Sequence, residues 1–325
     1  MKRAKRLALI AGLGLAILPG TWLRDPPGRQ TPHFAVVPME YSAARSGPFV
    51  LAGAWQLAGG DRRLGGFSGL VRTGNARFLA ISDSGRFARF TVPASGSGRG
   101  ILREPVERAL AKYGADMESV TREPASGIVW TAYENANRVV RLSRDLVPQS
   151  DARPPRMRHW GSNSGPESLV RLDDGRFLTI EESARGRGGV THRMLVFDSD
   201  PAEAGAAGRE GHVATLDGYR IVDAALWRDT IWLLLRDVRW GLPPSFDTAI
   251  ARFPANALAT AGAKADTNTD IEPELVARLT GMPRDNYEGL AIEARGDGSA
   301  RFWLIADDNF TAFQANWLLA LDYDP

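Results

Sequence analysis

Apolar and β-branched positions along this chain fall into short runs bounded by turn residues, and the runs repeat in a fixed order. Five phrases open the repeat: FSGLVR (67–72), MESVTR (117–122), PESLVR (166–171), VDAALW (222–227) and YEGLAI (287–292). Each joins a small or acidic residue to an apolar stretch. The aligned positions are Ser68, Glu118, Glu167, Asp223 and Glu288, at intervals of 50, 49, 56 and 65 residues. A second run follows each phrase: RFLAISDSG (77–85), GIVWTAYEN (127–135), RFLTIEES (176–183), TIWLLLRD (230–237) and RFWLIADDN (301–309). Continuous β-branched and aromatic runs of this length, ending in polar residues, predict buried strands.

Third strands are predicted at RFTVP (89–93), RVVRLS (138–143), RMLVFDS (193–199), TAIARFP (248–254) and WLLALDY (317–323). Fourth strands are weaker; GHVATLDG (211–218) and ELVARLTG (274–281) are the clearest, with ILREPV and RMRHW in that place in the first two repeats. The last repeat has no fourth strand, but FVLAGAWQLAGG (49–60) resembles one and precedes the first repeat. Four strands per repeat, with an N-terminal strand completing the last unit, predict an all-β fold, a β-propeller of five four-stranded blades. Six blades is the alternative, with an irregular blade inside the wide 223–288 interval. A β-sandwich does not account for the order-by-order repetition. Two segments fall outside the pattern: PVERALAKYG (105–114) reads as a short helix, and NALATAGAKADTNTDIEP (256–273) as an exposed loop.

Composition agrees with many short strands joined by turns: 34 Gly, 20 Pro, 13 Phe and 9 Trp. There is no cysteine, which excludes thiol catalysis, Cys-ligated zinc, disulfides and a lipid anchor on Cys. The N-terminus carries Lys2, Arg3, Lys5 and Arg6 before an apolar run from Leu7 to Leu18. This is the layout of an export signal, too short for an ordinary spanning helix. Residues 1–23 are therefore expected to be a signal peptide or, lacking a clean cleavage site, an uncleaved anchor, 24–47 a linker, and 48–325 the propeller. The expected location is periplasmic or secreted, or anchored to the inner membrane through residues 7–18. The whole chain has a net charge of +2, and without the four basic residues of the leader it falls to −2. No sustained basic run points to nucleic acid, and a monomer with a small-molecule substrate is the expected state.

The chemistry lies in the carboxylates. Innermost strands of a propeller line one channel, so Ser68, Glu118, Glu167, Asp223 and Glu288 should form a ring at one end of it. Acids closing the second strands, Asp83, Glu134, Glu181 and Glu182, Asp237, Asp307 and Asp308, run back to the same face. Such crowding requires protonation or a neutralising cation. Oxygen donors, with Asn163, Asn286 and Asn309 nearby and no histidine cluster, favour Ca²⁺, or else Mg²⁺, over zinc. The expected ligands are Glu118, Glu167, Asp223 and Glu288, with Glu134, Glu181 or Asp307 moving protons. The competing reading is structural, each acid pairing with arginine or a neighbouring backbone N–H. Other signatures are absent: there is no G-x-S-x-G, no H-E-x-x-H among four histidines, and RHW (158–160) lacks the glycine of a histidine-phosphatase motif.

Taken together, DMESVTR, GPESLVRLDDGRFLTIEE, DNYEGLAIE, LIADDNF and QANWLLALDY resemble the phytase-like domain, also called the esterase-like activity of phytase family, over about residues 48–323. The resemblance implies a bacterial envelope or secreted propeller that hydrolyses phosphate or carboxylic esters. Propeller phytases use a calcium cluster on acidic residues and lactonase-type propellers a single channel calcium, and both fit the carboxylate ring. Phosphate binding would also need cations facing the substrate, for which Arg185, Arg187 and Arg236 are the candidates. A calcium-dependent lactonase and a non-enzymatic binding propeller of the envelope are the alternatives.

Overall fold

The computed structural model describes residues 31–104, 116–161, 164–185, 190–241, 243–261, 270–311 and 313–325. Within them, each opening phrase becomes the first strand of a four-stranded antiparallel unit. Blade one contains Phe67–Gly74, Arg77–Ser82, Phe87–Thr91 and Gly98–Arg103. Blade two contains Met117–Arg122, Val129–Tyr133, Arg138–Leu142 and Pro148–Ala152; blade three, Pro166–Arg171, Phe177–Arg185, Thr191–Phe197 and Gly208–Ala214. Blade four contains Arg220–Trp227, Thr230–Arg239, Ser245–Pro254 and Glu274–Arg278. Blade five has Asn286–Ala294, Ala300–Asp307 and Trp317–Tyr323, and its fourth strand is the N-terminal Phe49–Ala58, paired antiparallel with Trp317–Tyr323. The fold is a β-propeller closed by an N-terminal strand.

The core lies in the seams between blades rather than at a single centre. One buried cluster joins blades one and two through Ile81, Phe87, Met117 and Tyr133, and another joins two and three through Trp130, Leu169 and Phe177. Blades three and four share Ile180, Met194, Leu233 and Phe253. Blades four and five share Trp232, Phe302 and Tyr323, whose rings meet with centroids 4.9–5.6 Å apart. Phe78, Phe90 and Trp303 close the circuit from blade five to blade one. Offset and edge-on aromatic pairs of this kind bind flat sheets face to face more tightly than their area alone would.

Three segments differ from their sequence reading. The expected linker contains a strand, His33–Pro38, which pairs with Phe49–Ala58 on one side and Gly98–Arg103 on the other; alternating buried Phe34 and Val36 hold it to the core. The fourth strand of blade two is the polar Pro148–Ala152, while RMRHW falls in a 3₁₀ turn, Pro155–His159, packed through Met157. Leu258 and Ile271, in the segment read as an exposed loop, are buried in the seam of blades three and four. The expected helix at 105–114 and the leader lie outside the described residues.

One local device recurs in all five innermost strands. The pairing register with the second strand slips at Phe67/Gly69, Met117/Ser119, Pro166/Ser168, Ile221/Asp223 and Tyr287/Gly289. Each slip is a β-bulge, which leaves one residue out of the ladder and re-aims its side chain. The extra residues are Ser68, Glu118, Glu167, Val222 and Glu288. The residue after each bulge, Gly69, Ser119, Ser168, Asp223 or Gly289, stands against the next blade. Ser119 Oγ donates to the Pro166 carbonyl at 2.7 Å. At Gly289, a Cβ would come within 2.9 Å of the Gly69 carbonyl carbon, so only glycine fits.

Candidate metal centre

Bulge and register together define two tiers at the end where the innermost strands start. The first tier is the set of bulged residues: Ser68, Glu118, Glu167, Val222 and Glu288. The residues opposite the start of each bulge are Ser82, Tyr133, Glu181, Leu235 and Ala306. One position further on are Asp83, Glu134, Glu182, Arg236 and Asp307, the second tier. Seven carboxyl groups thus face one guanidinium.

Glu134 is the common member of two oxygen clusters. Carboxylate oxygens of Asp116, Glu118 and Glu134 lie within 4.8 Å of one another, and so do those of Glu134, Glu167 and Glu182. Glycine makes this approach possible: at Gly165 a Cβ would lie 2.5 Å from the Glu134 Cα, and its bare N–H instead donates to Glu134 Oε1 at 3.1 Å. On the opposite side of the funnel, Gly65 (φ +144°) and Gly66 (φ +64°) leave room for Asp308 and Asp83.

Burial dominates the electrostatics. It pushes Glu118 and Glu167 well above the usual carboxylate range, and neighbouring acids add to the effect in both. Glu134 is raised to about 7, by burial opposed by the Gly165 N–H and reinforced by Asp116 and Glu182. Asp83 is raised to about 6, by burial opposed by hydrogen bonds from Ser82 and Ser84. Burial also raises Asp307 and Glu182, with Glu288 adding to both and Arg236 opposing in both. These groups are short of positive charge, and a hard cation with oxygen ligands suits them. The donor set fits Ca²⁺ or Mg²⁺: carboxylate oxygens only, from two blades, with four residues of the two tiers and Asp116 beside them.

Arg236 is the cation of the funnel wall. Its Nη1 donates to Asn286 Oδ1 at 2.8 Å and to Glu288 Oε1, and its Nη2 lies 3.6 Å from Glu182 Oε1. Burial works against its charge, but Glu288, Glu167, Glu182 and Asp307 outweigh that and hold its pKa above the ordinary arginine value. Asn286 bridges onward, donating to Glu288 at 2.8 Å and Asp307 at 3.3 Å.

Several expected site residues are therefore reassigned. Asp223 is not a channel ligand: its Oδ2 accepts from the Leu290 N–H and its Oδ1 from the Ala224 N–H, each at 2.7 Å. It staples blade four to blade five, and the bulged Val222 is buried in the apolar seam between the same two blades. Glu181 points out of the funnel and grips Arg193 through both oxygens, at 2.5 and 2.9 Å; its neighbour Glu182 faces in. Arg236 is committed to carboxylates rather than open to substrate, and Glu288 is its partner rather than a free ligand. Glu118 and Glu167 do enter the oxygen clusters, and Glu134 joins both of them. Asp307 stays in the second tier, accepting from the Asn309 N–H at 2.6 Å. Arg185 ends a strand of blade three, and Arg187 lies outside the described residues. Asp116 was missed. Its signal was its place immediately before the MESVTR phrase, where Gly165 and Asn286 precede the corresponding residues of blades three and five.

The phytase-like model, described as esterase-like activity of phytase, matches residues 62–310. The chain belongs to this family. The matched span runs from just before the Gly65–Gly66 turn to Phe310 and takes in every residue of both tiers. No curated protein matches the chain. Among solved structures, this phytase-like chain is similar to the Cps50 (Swd1) β-propeller domain of Myceliophteria thermophila, at 8% identity and TM-score 0.39, covering 90% of this chain and 100% of that one. It is also similar to an exo-1,5-alpha-L-arabinanase from a bovine ruminal metagenomic library, at 15% identity and TM-score 0.45, covering 78% and 91%. Hydrazine synthase of Kuenenia stuttgartiensis aligns at 9% identity and TM-score 0.39, covering 76% of this chain; the chain spans 58% of that one.

Proposed function

We propose that the protein is an exported, Ca²⁺-dependent hydrolase of phosphate or carboxylic esters, with its site in the carboxylate funnel. The observation that carries this reading is the pair of adjoining oxygen clusters meeting at Glu134. Glu118, Glu134, Glu167 and Glu182, with Asp116 at the rim, would hold the cation. When bound, the ion would polarise an ester oxygen and make a coordinated water more acidic. Asp83, outside both clusters and raised to about 6, is suited to accept a proton near neutral pH. Arg236 fixes Glu288 and Asn286 and keeps that wall of the funnel from collapsing under its own charge. Export rests on the basic and apolar leader; among the described residues no helix is long and apolar enough to cross a membrane.

The test combines ligand-dependent melting with turnover. Ca²⁺ should raise the melting temperature of the purified protein and EDTA reverse it. A panel of p-nitrophenyl phosphate, p-nitrophenyl acetate, phytate and lactones should contain one substrate whose turnover needs Ca²⁺ and fails in Glu167→Gln. A protein indifferent to both Ca²⁺ and EDTA, with no turnover on the panel, sinks the proposal. One feature favours the second reading, a binding propeller: Trp240 is 91% exposed in the loop after Arg239, on the funnel face. A pull-down partner lost in Trp240→Ser, without turnover on any ester, would favour that reading.

A further inference from the structure

The opposite end of the innermost strands carries a repeated ion pair with one conspicuous omission. Arg72 of blade one binds Glu293 of blade five at 2.7 Å, and Arg171 of blade three binds Glu123 of blade two at 2.6 Å. Register makes these equivalent, because Arg72, Arg122 and Arg171 pair with Phe78, Val129 and Phe177, each at or beside the start of its second strand. In both pairs the glutamate is the sixth residue beyond the start of the bulge in the preceding blade. In blade one that position is Thr73. Arg122 therefore faces a hydroxyl where its counterparts face a carboxylate, and its side chain reaches only the Pro124 carbonyl, at 3.4 Å.

Four more arginines converge on the same cleft. Arg77, Arg89 and Arg99 of blade one and Arg144 of blade two line a cavity of about 430 Å³ with Arg122 and Thr73. None of the five forms an ion pair among the described residues. Arg89 donates to the Arg144 carbonyl at 2.7 Å. Gly127 lies beneath Arg122 and Arg144: a Cβ there would come within 3.4 Å of Arg122 Nη2 and 3.1 Å of Arg144 Cγ. Burial depresses both Arg89 and Arg122 below the ordinary arginine value, and Arg144 opposes the charge of each; Asp145 offsets Arg89 only in part. Like charges held together and half-desolvated are costly unless an anion joins them.

We propose that this cleft between blades one and two is a binding site for a phosphate group, free or esterified, distinct from the carboxylate funnel. Planar guanidinium forks from several directions match the oxygens of a tetrahedral dianion, and Thr73 adds a hydroxyl where a glutamate would repel it. The site is on the face where innermost strands end, whereas the funnel is where they begin.

Calorimetric titration of the EDTA-treated full chain tests this, with inorganic phosphate in one arm and phenylphosphonate, a non-hydrolysable stand-in for a monoester, in the other. At least one should bind saturably, at one site per chain. Thr73→Glu should restore the missing ion pair, fold normally and weaken binding at least tenfold. Arg122→Gln with Arg144→Gln should do the same, while Glu134→Gln in the funnel leaves binding unchanged. Preference for phenylphosphonate would identify an esterified ligand, and preference for phosphate a free one. Absence of binding by either probe at millimolar concentration overturns the proposal. So does binding that survives both cleft variants, or that is lost in Glu134→Gln.

Discussion

Blade three turns Glu167 and Glu182 toward the funnel; blade four, with the same bulge and the same register, buries Val222 in the apolar seam with blade five and turns Arg236 to the funnel. The backbone device is identical and the charge is inverted. Replacing two acids by one apolar residue and one base in a single blade gives the wall between blades three and five an internal cation, and it leaves the unneutralised oxygens gathered around Glu134. The difference teaches that the ring is asymmetric by construction: one side is balanced within the protein, and the other gathers its carboxylates around Glu134.

The largest disturbance of that asymmetry should come from Arg236→Met. It strands Glu288, Glu182 and Asp307 without their cation, and breaking a buried pair in this way costs about 3–5 kcal/mol. Denaturant unfolding at pH 8 should show the loss, with partial recovery in Ca²⁺. Glu134→Gln attacks the other side. It removes the carboxylate common to both clusters and should weaken Ca²⁺ binding about 100-fold, read as loss of the calcium-induced rise in melting temperature. Calcium affinity unchanged in this variant would show that the open side of the ring does not hold the ion.

Proton dependence sharpens the same contrast. Carboxyls whose pKa is raised on folding bind more protons folded than unfolded, so stability falls as pH rises through the interval between the two values. For Asp83 that interval runs from 3.8 to about 6, and for Glu134 from 4.5 to about 7. The EDTA-treated protein should therefore be more stable at pH 5 than at pH 8, by about 2 kcal/mol after solvent screening, and Ca²⁺ should narrow the gap. Stability rising with pH in EDTA would contradict the electrostatic account. The smallest effect belongs to Asp223→Asn, which keeps one of two acceptors and should cost about 1 kcal/mol while calcium affinity stays the same. A large loss of affinity there would return Asp223 to the ligand set.

The propeller was legible because five apolar phrases recur in order, each followed by a strong second run. The strand at Phe49–Ala58 could be read as the missing piece of the last blade for the same reason. What could not be read was the bulge. It is a matter of hydrogen-bond register rather than composition, and strand side chains alternate faces, so a shift of one residue exchanges channel for seam. Both misplacements were shifts of this size: Asp223 lies one residue past the bulge position, where the acid drew the alignment to itself, and Glu181 stood for Glu182, where two adjacent acids gave no hint which faced inward. The strand Pro148–Ala152 was obscured by its polar sequence, and the strand His33–Pro38 lay in a stretch too short and too rich in proline to stand out. The arginine cleft was invisible for another reason: its members come from residues 77 to 144, scattered over two blades, and only folding assembles them.

The strand His33–Pro38 has a consequence for colloidal behaviour. It pairs at once with the outermost strands of blades one and five, so neither blade presents an open rim. The outer strands of the other three blades, PQSDA, GREGHVA and ELVAR, carry proline or charge, the usual protection of an exposed edge against pairing with another molecule. Phe49–Ala58 has none of it: its sequence, FVLAGAWQLA, carries neither proline nor charge. A chain trimmed to begin at Glu40 would keep every residue of the funnel and every arginine of the cleft, losing only His33 from the cleft's lining, yet would uncover two rows of unpaired backbone groups side by side. Its characteristic failure would be self-association through strand addition, seen as aggregation before any loss of the ring itself.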